Sequence, residues 1–165
     1  MAGGDTRSKE EWHQWHAFFT MRRQLDRALE RSLGGTELSG SEYEVLLALF
    51  SSPEHSVRLG DLGRLINWEK SRLSHLASRM ERRGLVARVH CATDARGTNL
   101  ELTRAGRRAV LAATRLYSGA IEQHFFDALS VEDRQRLTDI SEQILHSLGL
   151  SGAVPPGELL PRDTP

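Results

Sequence analysis

The stretch Asn67-Trp-Glu-Lys-Ser-Arg-Leu-Ser-His-Leu-Ala-Ser-Arg-Met-Glu-Arg-Arg-Gly84 decides how the rest of the chain is read. Leu73, Leu76, Ala77 and Met80 recur at three- and four-residue steps, the spacing of one buried stripe on a helix. At roughly 100° per residue the opposite side carries Ser71, His75, Ser78 and Arg82, with Arg72 and Arg79 on one flank and Ser74 on the other. That face offers donors and cations and no carboxylate near its centre, as a helix laid against phosphates and base edges requires. Asn67 is placed to cap the first turn and Glu69 lies near the positive end of the helix dipole. Arg82 and Arg83 lie near the negative end, and Gly84 permits a left-handed stop.

Working outward, Leu59, Leu62, Leu65 and Ile66 mark a short amphipathic helix from about Arg58 to Ile66. So few residues separate it from the next helix that the two must cross sharply, as a helix-turn-helix does. After Gly84 the period changes. Leu85 to His90 and Asn99 to Leu102 are β-capable, and Cys91-Ala-Thr-Asp-Ala-Arg-Gly97 between them is a polar turn, which predicts a hairpin. A helix-turn-helix followed by a two-stranded hairpin is a winged helix, with Arg96 at the wing tip.

Leu85-Val-Ala-Arg88, Asp94-Ala-Arg96 and Leu100-Glu-Leu-Thr-Arg-Ala-Gly106 resemble the wing signature of the MarR (multiple antibiotic resistance regulator) family. The run Ser71-Arg-Leu-Ser-His-Leu-Ala-Ser-Arg-Met-Glu81 resembles that family's recognition helix, and the resemblance extends over residues 12 to 148. It implies a mainly α fold with a small β wing and one domain over 1–165. Dimerisation helices at 8–34 and 104–148 flank a winged-helix DNA-binding region at 39–103. A short strand near Val57 is implied to pair with the wing.

Length and charge agree with that picture. A chain of 165 residues is compatible with one domain and one substantial core. Formal charge is zero overall, yet Arg58 to Arg108 holds twelve Lys and Arg against five Asp and Glu, leaving the rest of the chain at −7. A basic module in an acidic frame matters more than the total, because counterion release depends on what faces the phosphates. No apolar run approaches the roughly 20 residues of a membrane span. With no secretory pattern at the start and a single cysteine, Cys91, the expectation is a soluble, cytoplasmic protein.

Taken in order, Ser8-Lys-Glu-Glu11 has capping-box spacing and opens a long helix that Gly34-Gly35 end. Two Trp and two Phe near its start exceed what one antiparallel neighbour covers, which points to a partner subunit and a homodimer. Ser39-Gly-Ser-Glu42 is a second capping box, opening a helix apolar almost all round that should form the centre of the core. Thr103 caps the next helix, which can run past Gly119, where lost helix propensity leaves room for a bend. Ser130-Val-Glu-Asp133 starts the last one. Four of the five prolines fall after residue 154, so 151–165 is expected to be a flexible tail.

These readings assign roles to side chains. Ser71, Arg72, Ser74 and His75 occupy the first half of the recognition helix, which reaches base edges in this docking geometry; base or phosphate contact stays open for each. Arg79, Arg82, Arg88 and Thr98 are candidates for backbone contacts. Arg96 is expected in the minor groove, as the family uses the matching arginine. Asp94 should pair with Arg72 or Arg79 and hold the wing at its angle. The resemblance further implies a repressor of a pseudo-palindromic operator, released by a small aromatic effector bound between the dimer helices and the winged helix. Trp15, His16, Phe19, Tyr43 and Trp68 are the candidates to line that site.

Competing readings are a winged helix that binds a protein partner, and a redox regulator through Cys91. The first does not require a basic segment with a wing-tip arginine. The second has no further thiol to resolve an oxidised form. His13 and His16 share a helix face, but no third ligand follows at metal-binding spacing, so no metal or cofactor is expected. No phosphate loop, nucleophile elbow or metal-base motif marks an enzyme.

Overall fold

A computed structural model describes residues 7–90 and 98–150. Its elements follow in the order α1 (Lys9–Ser32), a 3-10 turn (Leu33–Gly35), α2 (Gly40–Phe50), a second 3-10 turn (Pro53–His55), β1 (Ser56–Arg58), α3 (Leu59–Leu65) and α4 (Lys70–Arg82). After these come β2 (Val86–His90), β3 (Thr98–Leu102), α5 (Arg104–Ile121), a π-helical turn (Glu122–Phe126) and α6 (Val131–Ser147). The sheet is antiparallel throughout, in the order β1-β3-β2. Val57 pairs with Leu100, so the short third strand is present beside the hairpin.

The core is centred on α2, whose Val45, Leu46 and Leu49 are fully buried against Leu62, Leu73, Met80, Leu100 and Val110. Burying a Leu, Val or Met completely stabilises the fold by roughly 1.5–3 kcal/mol. The stripe on α4 is as expected: Leu73, Leu76, Ala77 and Met80 are all buried. Both capping boxes form, at Ser8 with Glu11 and at Ser39 with Glu42. Ser130 and Thr103 cap α6 and α5 through the N–H groups of Asp133 and Gly106.

The wing signature has a structural cause. The Thr103 hydroxyl donates to the Gly84 carbonyl at 2.7 Å and accepts from the Gly106 N–H at 3.0 Å, pinning the start of α5 to the exit of α4. Gly106 sits so close to the Leu85 carbonyl that a Cβ there would collide with it, and also with Leu102 at 2.9 Å. Only glycine permits that approach.

One local expectation is corrected. Asn67 does not cap α4: Glu69 is the N-cap residue, without a side-chain bond. Asn67 instead takes φ 53, a left-handed conformation that Asn tolerates, inside a turn closed by Trp68 N–H donating to the Gly63 carbonyl at 2.8 Å. The helix α5 runs through Gly119 without a break, and the irregularity falls later, at the π-helical turn, where the Asp127 N–H reaches back to Glu122. Among the described residues no helix is long and apolar enough to cross a membrane. The expected tail at 151–165 lies outside them, as do Cys91, Asp94 and Arg96.

Candidate nucleic-acid interface

Helix α4 presents its polar face away from the core. Ser71, Arg72, His75, Arg79 and Arg82 are exposed and Ser74 is half-buried. Arg72 is oriented by its neighbour: its guanidinium lies 3.7 Å from the Trp68 ring centroid, a stacked cation–π contact that limits the conformations of a long side chain. Trp68 in turn sits in the turn before α4, lining a shallow cleft with Leu59, Gly63 and Lys70.

The other predicted cations divide by role. Arg88, on β2, donates to the Ser74 carbonyl at 3.2 Å and the Ser78 hydroxyl at 2.9 Å, with Glu81 at 3.7 Å. It clamps β2 onto α4. Arg79 lies 3.5 Å from Glu42 and is shared between that carboxylate and solvent. Thr98 opens β3 opposite His90 and leads out of the wing.

Glu42 is the residue that sequence reasoning undervalued. It was read as half of a capping box, and it is that: Ser39 N–H and Oγ both donate to it at 3.0 Å. It is also 2% exposed and receives Arg83 at 2.7 Å, while Arg83 donates to the Glu37 carbonyl at 2.7 Å. Burial by itself pushes the Glu42 carboxyl up. The Ser39 backbone bond and the Arg83 hydrogen bond outweigh it, so the group stays below its ordinary range. The start of α2 is thereby tied to the end of α4, fixing the angle of the exposed face. The available signal was an acid in the first turn of a mostly apolar helix, where a buried carboxylate must find a partner.

The candidate effector residues are not gathered in one place. A cleft of about 400 Å³ between α1, α2 and α5 is lined by Tyr43 together with Asp26, Leu29, Glu30, Glu44, Leu47 and Tyr117. Trp15 and Phe19 stack on each other near the start of α1, and His16 Nδ1 lies 2.7 Å from the Trp12 carbonyl. These three are outside the lining. Tyr43 is buried, with its hydroxyl donating to Thr114 at 3.2 Å.

A helix-turn-helix beside a three-stranded sheet, with α1 and α5 beyond it, is matched among known proteins. The MarR family model matches residues 36–97. The fold and sequence are similar to the crystal structure of AbsC, a MarR family transcriptional regulator from Streptomyces coelicolor, at 31% identity and a TM-score of 0.82, over 87% of this chain and 97% of that one. The chain belongs to the MarR family. MarR proteins are transcriptional regulators, not enzymes, and this one has their winged-helix fold. It is also similar to Sco3205, a MarR family regulator from Streptomyces coelicolor solved in complex with DNA, at 27% identity and a TM-score of 0.80, over 94% of this chain and 96% of that one. A third relative is the HTH-type transcriptional repressor YetL of Bacillus subtilis (strain 168), 26% identical over 91 residues. That match takes in 55% of this chain and about half, 54%, of the repressor.

Proposed function

We propose that this MarR-family protein is a cytoplasmic, homodimeric repressor that binds a pseudo-palindromic operator. Its two α4 helices enter successive major grooves about 34 Å apart. The exposed Ser71–Arg72–His75 face of α4, with Arg72 held by Trp68, carries this reading. His75 and Arg72 suit guanine O6 and N7 or a phosphate, while Arg82 and Thr98 suit the backbone on either side. Arg79 and Arg88 belong first to the scaffold, orienting the helix that reads. Arg96 at the wing tip enters the minor groove, with Asp94 holding the wing. The DNA complex of Sco3205 and the repressor role of YetL support binding and repression respectively. A small aromatic effector, bound between the outer helices and the winged helix, releases the DNA by favouring another spacing of the two reading helices.

The test is fluorescence anisotropy on the DNA upstream of the protein's own coding sequence, against scrambled DNA at fixed salt. His75→Ala or Arg72→Ala is expected to weaken specific binding by about tenfold and nonspecific binding less. Arg96→Ala should lower affinity and flatten the salt dependence by about one phosphate equivalent. Specific affinity unchanged within about twofold in both α4 variants overturns the assignment.

A further inference from the structure

The first turn of α4 carries a cation where the helix itself gains nothing from one. Arg72 follows the N-cap residue Glu69 by less than one turn, at the positive end of the helix dipole, and no acid offsets it in that turn. What holds it is a ring. Its guanidinium lies 3.7 Å from the Trp68 centroid, whereas the cation–ring contacts of Arg22, Arg23, Arg107 and Arg134 lie between 5.5 and 5.9 Å. At the shorter distance the guanidinium must lie flat, because turned on edge it would drive a nitrogen into the ring. Its N–H donors all lie in the guanidinium plane, so the ring covers a face and leaves the fork open. Among the described residues no hydrogen bond or ion pair occupies that fork.

The ring is a fixed platform. Trp68 is half-buried against the core, and its backbone N–H donates to the Gly63 carbonyl at 2.8 Å. Gly63 is itself buried, and a Cβ there would stand 3.2 Å from the Trp68 carbonyl, so the turn is drawn tight against α3. Arg79 and Arg88 are held through their N–H groups by acceptors of the scaffold, whereas Arg72 is held by a surface that uses none of its donors. That difference bears on what Arg72 reads. Phosphate oxygens accept from many directions, but guanine O6 and N7 lie in one plane and take a bidentate fork only when its plane is theirs. Fixing the plane therefore favours the base and adds little for a phosphate.

We propose that Trp68 is a specificity-determining positioning residue, whose ring sets the plane of the Arg72 guanidinium and commits it to the O6–N7 edge of a guanine in each half of the operator. The proposal rests on the DNA-reading role given to α4 above, which leaves Arg72 open between base and phosphate. It adds which of the two Arg72 meets and what decides it. Trp68 itself touches no base; it removes beforehand the conformational freedom that a long side chain otherwise loses on binding.

The experiment selects duplexes that bind the full chain from a random pool long enough for two half-sites a helical turn apart. Anisotropy then measures affinity for the selected duplex and for symmetric replacements of each base pair in turn. In the parent, replacing a G·C pair in each half-site is expected to cost about tenfold or more. Arg72→Lys keeps the charge and loses the planar fork; it should bring that cost within about twofold while other positions keep theirs. Trp68→Leu, which keeps apolar bulk and loses the ring, should flatten the same pair and leave the salt dependence unchanged. Trp68→Phe restores a ring and should restore most of the preference. A parent-like profile in Trp68→Leu overturns the positioning role, and uniform weakening at every position reduces Trp68 to packing and overturns it equally. Should Arg72→Ala keep the profile and lower the salt slope by about one phosphate equivalent, Arg72 meets phosphate and the base assignment falls. These outcomes leave DNA binding by α4 standing, whereas a pool that yields no enriched sequence overturns that reading as well. A Trp68→Leu chain without the parent's helical circular dichroism is replaced by Trp68→Met, for which the same loss at the same pair is expected and its absence overturns the proposal.

Discussion

The winged-helix module and the outer helices are built on opposite terms. Between α2 and β3 the chain closes a core of its own: Val45, Leu46, Leu49, Leu62, Leu73 and Leu100 are fully buried. Helices α1 and α6 bury none of their residues, although they carry Trp12, Trp15, Phe18, Met21, Ile140 and Ile144. Val131, the first residue of α6, and Leu148, just after its end, are 67% and 65% exposed. An apolar stripe at helical spacing that nothing covers is stable in water only when another surface meets it. The module is finished within one chain, whereas α1 and α6 leave apolar side chains exposed, the surface that the proposed dimer would cover.

Disrupting the outer region is expected to have the largest effect, and one that spares the inner region. Ile140→Asp with Ile144→Asp introduces four charges into a twofold interface and should raise the dimer dissociation constant by about a hundredfold or more. Light scattering reads the mass, and far-ultraviolet circular dichroism should show the winged helix still folded. Loss of helical signal together with the dimer would show that the two regions fold as one unit.

Inside the module the next largest effect belongs to Gly106→Val. The new side chain meets the Leu85 carbonyl and Leu102, and overpacking of this kind costs about 1–3 kcal/mol or more. Urea denaturation measures it, and a midpoint within error of the parent's contradicts the close approach.

Glu42→Gln comes next. The carboxylate is buried but its arginines are partly solvated, Arg83 at 34% and Arg79 at 57% exposure, so the loss is discounted to about 1–2 kcal/mol. The sign with pH follows from the lowered pKa. Glu42's contribution is fully present above its ordinary value of 4.5 and is lost as pH falls through the lower folded-state value. Urea midpoints of parent and variant should therefore differ at neutral pH, and the gap should narrow as pH falls below 4.5. A gap that widens on acidification contradicts the assignment. The smallest effect is expected from Ser130→Ala, which removes the α6 cap and costs about 1 kcal/mol.

What could be read in the sequence divides along a related line. Capping boxes, the α4 stripe and the left-handed stop at Gly84 are local, set by residues three or four apart, and each was legible. Contacts that depend on the tertiary fold were not. Arg83 and Arg79 find Glu42 across 41 and 37 residues, and Arg88 meets Ser74 across 14, so these three arginines also brace α4, a role that no local spacing announces. Asn67 failed as a cap because the short turn from α3 claimed its backbone first. The cleft was invisible because its acids are contributed by separate helices, Asp26 and Glu30 by α1 and Glu44 by α2. Sequence spacing favoured aromatics on α1 instead.

The most direct test of the contrast between finished module and exposed outer helices is sedimentation equilibrium of the full chain over a wide range of concentration. A mass of twice 18.5 kDa that persists on dilution is predicted. A single-chain mass at every concentration would leave the exposed stripes of α1 and α6 without a partner and contradict the account.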